Sequence, residues 1–229
     1  MQLQVGHVLV GGHGDSHRSL RDCWFTSDMA KRPVEPGTTG NERLTAITAV
    51  VLIALLALEG VTILAIRPLL SWHVFVGMLL IPPVTLKLAS TGYRFWRYYS
   101  GSPEYVLRGP PHVLLRLLAP LVVVSTLAVF ATGVGLLALG PMHDALLGLH
   151  KASFVVWLAV TGVHVLAHLR RLPVLAFASG RGARRRLAVV TATVLAGGAL
   201  AVSTLSLMTP WTHWVDRDDA AAAHLNVLM

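Results

Sequence analysis

The sequence predicts an all-α integral membrane protein, a helix bundle with five transmembrane helices. Of its 229 residues, 54% are hydrophobic and only 13% are charged, and the mean hydropathy is +0.64. A transmembrane helix needs about 20 consecutive, mainly apolar residues. Five segments meet that requirement, at residues 44–66, 69–91, 113–139, 145–169 and 187–208.

The remaining residues lie mostly before the first span. Residues 1–43 are polar and lack apolar periodicity, which predicts a flexible cytoplasmic leader and not a signal peptide or a folded domain. Met29, which precedes Ala-Lys-Arg, is a second candidate start codon, in which case residues 1–28 are not translated. Residues 44–208 are expected to form the transmembrane bundle, and residues 209–229 a short external tail.

The second span carries two features that constrain packing. Only two residues, Arg67 and Pro68, lie between the first and second spans, so these helices should be antiparallel neighbours. Pro82 and Pro83 fall in its middle, where they free backbone carbonyls. A membrane helix tolerates this when neighbouring segments satisfy the freed groups.

The distribution of basic residues predicts the topology. Fifteen of the 19 Lys and Arg precede the first span or lie between spans two and three or four and five, counting Arg116. By the positive-inside rule the N-terminus is cytoplasmic and the C-terminus external. Six arginines between spans four and five predict contact with anionic lipid. The net charge of +8 therefore reflects membrane topology, and nucleic acid is not an expected partner.

Histidines inside the apolar spans suggest a cofactor. His150 and His164 are 14 residues apart in the fourth span, which places them roughly 21 Å apart along a helix and only about 40° apart around it. His73 lies at the depth of His150 in the second span. Ionisable side chains are costly in a membrane, and neutral imidazole is a good axial ligand for haem iron. His73 and His150 are therefore the predicted ligands of one haem.

Glycines at the same depth would let a flat porphyrin approach the helix backbones. They are Gly77, Gly133, Gly135 and Gly148, although small residues are also common at ordinary membrane helix crossings. The sequence has one cysteine, Cys23, and no Cys-x-x-Cys-His motif, so any haem would be held without covalent attachment.

This arrangement resembles the four-helix di-haem cytochrome b subunits of formate dehydrogenases and nickel-iron hydrogenases, and bacterial cytochrome b561. The similarity covers roughly residues 42–170, which leaves the fifth span outside the four-helix core. The resemblance implies haem b held by His73 and His150 near the outer surface of a bacterial-type cell membrane. It also implies electron transfer between the quinone pool and a redox partner subunit.

A second, inner haem is less well supported by the sequence. In the family its ligands are the second histidine of the fourth helix, here His164, and one near the start of the first helix. Ala46 occupies the latter position, and Lys87 lies at the depth of His164. His112 and His168 are alternative ligands for an inner site.

Glu59, in the outer half of the first span, is a candidate for proton transfer during quinol oxidation. Its expected partners are Arg67, His73 or a quinol. The rival hypothesis for the whole chain is a haem-free membrane scaffold or assembly protein that retains the cytochrome b fold. A small transporter is a third hypothesis, although no inverted repeat is visible.

Overall fold

The computed structural model describes residues 36–106, 113–169 and 182–228, which belong to one compact unit, Pro36–Met229. These residues are helical and contain no strand. The longer helices are α1 (Pro36–Leu64), α2 (Ile66–Tyr99), α4 (Val113–Leu139), α5 (Asp144–His168), α6 (Ala183–Ser203) and α7 (Thr209–Leu228). A short helix α3 (Pro103–Val106) follows α2, and a 3-10 turn (Leu205–Met208) precedes α7.

The predicted all-α membrane fold is confirmed. Within the described ranges, five helices are long and apolar enough to cross a membrane: Gly40–Leu64, Ile66–Tyr99, Arg116–Leu139, Asp144–His168 and Ala183–Ser203. The chain is a multi-pass helical membrane protein. We call the end of the bundle at which α1 meets α2 the turn end, and the opposite end, where α2 finishes and α6 begins, the basic end.

Helix boundaries differ from the sequence prediction at both ends of the chain. Helix α1 begins at Pro36, so the last residues of the predicted leader are helical. The predicted tail forms α7, which is consistent with Pro210 in its first turn and the alanine run at 220–223, both favourable to helix. Ala65 separates α1 from α2, so Arg67 and Pro68 lie in the first turn of α2.

Two groups of helices form the bundle. Helix α2 packs along both α1 and α6, and α4 packs along α5, whereas α2 touches α4 along only a short stretch. Gly140, with φ of 83°, adopts the left-handed conformation that closes α4 before the turn into α5. The limited contact between α2 and the α4–α5 pair leaves room between the two groups near the turn end.

The proline pair of α2 explains its close contact with α6. Pro83 has no N–H, so the carbonyl of Leu79 lacks its usual helical donor. Gly197 of α6 lies directly against this carbonyl, and a Cβ atom at Gly197 would overlap it. The sequence predicts that the proline pair frees a backbone carbonyl, and in the structure the backbone of α6 covers it. The two helices come this close because Gly197 has no side chain.

Candidate functional site

His73 of α2 and His150 of α5 face each other near the turn end. Their ring centroids are 6.5 Å apart, and the ring planes are inclined at 72°. The two residues come from the separate helix groups, α1–α2–α6 and α4–α5. The imidazoles therefore meet across the space that these groups leave open.

The Nδ1 atom of His73 is held by two residues of α1. It lies 2.8 Å from Oε1 of Glu59 and 3.2 Å from the hydroxyl oxygen of Thr62. That hydroxyl donates to the backbone carbonyl of Glu59 at 2.6 Å, so its oxygen is available as an acceptor. The arrangement favours the tautomer in which Nδ1–H of His73 donates and Nε2 carries a free lone pair.

His150 is oriented in the same way by α4. Its Nδ1 lies 3.0 Å from the hydroxyl oxygen of Thr132, and that hydroxyl donates to the carbonyl of Ala128 at 2.8 Å. The Thr132 oxygen therefore accepts from Nδ1–H of His150, which again leaves Nε2 unprotonated. Nε2 is therefore the nitrogen that each ring has available for a ligand.

A cavity of about 340 Å³ opens around the two rings, within the range of about 300–1,000 Å³ typical of small-molecule and cofactor sites. Its lining is mostly apolar and comes from α1, α2, α4, α5 and the start of α7. The ionisable groups among its lining residues are Glu59, His73, His150 and Lys151. The cavity therefore suits a largely apolar ligand with a few polar contacts.

Trp211 of α7 closes part of this cavity. Its side chain is 8% exposed, and its indole N–H donates to the carbonyl of Leu136 at 3.1 Å. The sequence suggests only an interfacial aromatic anchor here, because a tryptophan after a final span is typical of that role. Burial of Trp211 instead makes α7 part of the site.

The predicted glycines contribute unequally. Gly77 and Gly133 line the cavity, and a Cβ atom at Gly133 would lie 3.1 Å from Cε1 of His150. A Cβ at Gly135 would make an ordinary contact with Leu146, and one at Gly148 would meet nothing within 4 Å. Gly133 is therefore the glycine that sets the position of the His150 ring.

Substitution Gly133→Val is expected to displace the His150 imidazole, because the branched side chain would occupy the ring's present place. If the pair holds a metal, metal affinity should fall by about tenfold, the lower end of the effect of disturbing a metal ligand's surroundings. The ratio of bound cofactor to purified protein measures this effect. The matched control is Gly148→Val, which should leave the ratio unchanged, and equal ratios in both variants would contradict the role of Gly133.

The other candidate residues lie away from the cavity. The ring of His164 packs 4.7 Å from that of His168, one turn later on α5, and Nδ1 of His168 lies 2.9 Å from the His164 carbonyl oxygen. Nδ1 of His164 is buried and has no hydrogen-bond partner among the described residues. Neither side chain lines the cavity. His112 lies outside the described residues.

The sequence does not predict two of the contacts that hold the histidines of the site. Thr62 and Thr132 hold the Nδ1 atoms, yet threonine is ordinary in a membrane helix. Thr62 lies three residues after Glu59, on the same face of α1, and this spacing is a signal that could have identified it. Nothing in the sequence connects Thr132 with His150, because they belong to different helices.

Comparisons with known proteins add no relative: the chain matches no protein-family model, no curated protein and no solved structure. The described residues also contain no group of three or more His, Cys, Asp or Glu side chains that could hold a metal ion. The site thus consists of two imidazoles, with ring centroids 6.5 Å apart, in a mostly apolar cavity.

Proposed function

We propose that this protein is a membrane b-type cytochrome that holds one haem b between His73 and His150. It would pass single electrons between the quinone pool and a redox partner subunit. The observation that carries the proposal is the distance of 6.5 Å between the two imidazole centroids, with both Nδ1 atoms already engaged by neighbouring side chains.

The residues fit the group in three respects. A metal–imidazole bond is about 2 Å long, so two rings bound on opposite sides of one metal have centroids roughly 6 Å apart. The porphyrin supplies four nitrogens itself, which makes a pair of protein ligands sufficient. The cavity around the two rings is mostly apolar, as the face of a porphyrin requires, and Gly77 and Gly133 contribute no side chain to its lining.

Haem, when bound, supplies a one-electron iron couple whose potential depends on its axial ligands and their surroundings. The chain's own contribution is to hold the two ligands in place. Glu59 and Thr62 accept from His73, and Thr132 accepts from His150. Such partners fix the tautomer and the ring orientation of a histidine ligand.

The distribution of basic residues gives the proposed orientation of the bundle in the membrane. The positive-inside rule places the basic end in the cytoplasm of a bacterial-type cell and the turn end outside. The His73–His150 site would then lie near the outer surface. Lys151, which lines the cavity beside His150 and is exposed, is placed to pair with a haem carboxylate there.

The test is a reduced-minus-oxidised absorbance spectrum of the purified full chain, together with extraction and quantification of haem. The expected result is the spectrum of a six-coordinate b-type haem that is released by acidified solvent. A chain that folds but contains no haem after expression in a haem-replete host would overturn the proposal. That result would favour the haem-free scaffold.

Substitution Glu59→Ala is expected to weaken haem binding by about 10- to 100-fold, because it removes the carboxylate that orients His73. Glu59→Gln should retain most of the affinity, since the amide oxygen can still accept from Nδ1–H. Haem titration of the apoprotein measures both variants. The control is Glu104→Ala in α3, outside the cavity, and similar affinities for Glu59→Ala and this control would refute the role of Glu59.

A further inference from the structure

Lys87 occupies, at the basic end, the position on α2 that corresponds to His73 at the turn end. It follows His73 by 14 residues, a displacement of roughly 21 Å along the helix and about 40° around it. His164 is related to His150 on α5 by the same interval. A second haem built like the first would therefore meet a lysine on α2 in place of a histidine.

The ammonium group of Lys87 is engaged with α1. Its Nζ donates to the backbone carbonyl of Thr45 at 2.9 Å. The next residue, Ala46, is the one that stands where the cytochrome b resemblance implies a histidine ligand, and its side chain is 3% exposed. An alanine offers no ligand atom, and a protonated lysine has three donors and no lone pair for iron.

Further hydrogen bonds join α1 to α2 around Lys87. The hydroxyl of Thr45 donates to the Ser90 hydroxyl at 3.1 Å, and the side-chain amide of Asn41 donates to the Ser90 carbonyl at 3.1 Å. Thr45 and Ser90 are both buried. We call these four residues, Asn41, Thr45, Lys87 and Ser90, the α1–α2 clamp.

The clamp contrasts with the turn end, where the helices stand apart around a cavity. That cavity does not reach Lys87, Ala46 or His164. The imidazole that packs against His164 is that of His168, one turn later on the same helix. Two neighbouring side chains of one helix cannot bind opposite sides of one metal. The described residues at the basic end thus do not fit a haem, and His112 lies outside them.

We infer that this chain binds a single haem, at the turn end, and that the α1–α2 clamp lies where a second haem built like the first would need its ligand on α2. The inference rests on the proposed function. With one redox centre, electrons enter and leave the protein near the same membrane surface. The reaction served would be one whose electron donor and acceptor meet the protein on that same side, without electron transfer across the bilayer.

The experiment measures the haem-to-protein ratio of the full chain and of His164→Ala, with a potentiometric titration of each. We expect a ratio of one in both proteins and one n = 1 component in both titrations. A ratio of two in the unmodified chain that falls to one in His164→Ala would overturn the inference but leave the proposed function intact. A chain with no haem would instead refute the proposed function.

Lys87→Leu provides a second readout. Leucine cannot donate to the Thr45 carbonyl and offers no ligand atom to iron, so the clamp is weakened while the turn end is untouched. We expect an unchanged haem ratio and midpoint potential, with a lower thermal unfolding midpoint. A change in the haem ratio or in the potential would place Lys87 in the haem environment and would overturn the inference.

Discussion

Replacing either His73 or His150 with alanine is expected to remove the bound haem almost completely. Each substitution deletes one of the two imidazoles whose centroids lie 6.5 Å apart. The remaining lining is apolar apart from Glu59, Lys151 and the surviving histidine. Among the described residues, no other side chain that lines the cavity is a histidine that could replace the lost ligand. We expect at least a tenfold fall in bound haem per protein, measured by haem extraction after purification.

The matched controls are His164→Ala and His168→Ala, which remove imidazoles of the same helix that do not line the cavity. Both should retain the full haem content of the unmodified chain. Circular dichroism and size-exclusion chromatography must show that all four variants keep the helical fold. Full haem in both His73→Ala and His150→Ala would contradict the proposed ligand pair, because each variant lacks half of it.

Substitution Gly197→Val is expected to cause the largest loss of stability in the bundle. A Cβ atom at this position would overlap the backbone carbonyl of Leu79, and a helix backbone cannot move aside as a flexible side chain can. Overpacking of a well-packed core costs about 1–3 kcal/mol and occasionally more, and we expect the upper part of this range. The thermal unfolding midpoint in detergent should fall by several degrees or the protein should fail to fold.

Gly198 supplies the control for this prediction. It is the next residue on α6, and a Cβ there would meet nothing within 4 Å. Gly198→Val therefore adds the same side chain to the same helix without the overlap and should unfold close to the unmodified chain. Equal midpoints for the two variants would show that α6 does not pack against α2 through Gly197.

Much of the fold can be predicted from the amino-acid sequence. The five apolar segments correspond to the five helices that are long and apolar enough to cross a membrane. Crossing a bilayer requires about 20 continuous, mainly apolar residues, and such segments are recognisable in a sequence. The interval of 14 residues between His150 and His164 places both on one face of α5 from helix geometry alone. Depth along each helix is thus encoded in the sequence directly.

The contents of the site are predicted only in part. The sequence suggests His73 as one of three possible partners of Glu59, beside Arg67 and a quinol, and the structure pairs Glu59 with His73. The sequence does not indicate that Thr132 would hold His150 or that Trp211 would line the cavity. Each of these contacts joins residues far apart in the chain, and threonine or tryptophan has many ordinary roles in a membrane helix.

The sequence by itself determined the class of the protein, the number of its membrane helices and the level of each histidine along its helix. These are one-dimensional properties, set by hydrophobic length and helical rise. The tertiary structure alone decided which side chains meet: the Nδ1 partners of both histidines, Gly197 against Leu79 and Lys87 against Thr45. In a lipid environment apolar periodicity does not specify neighbours, so shape and hydrogen bonding select them once the helices pack.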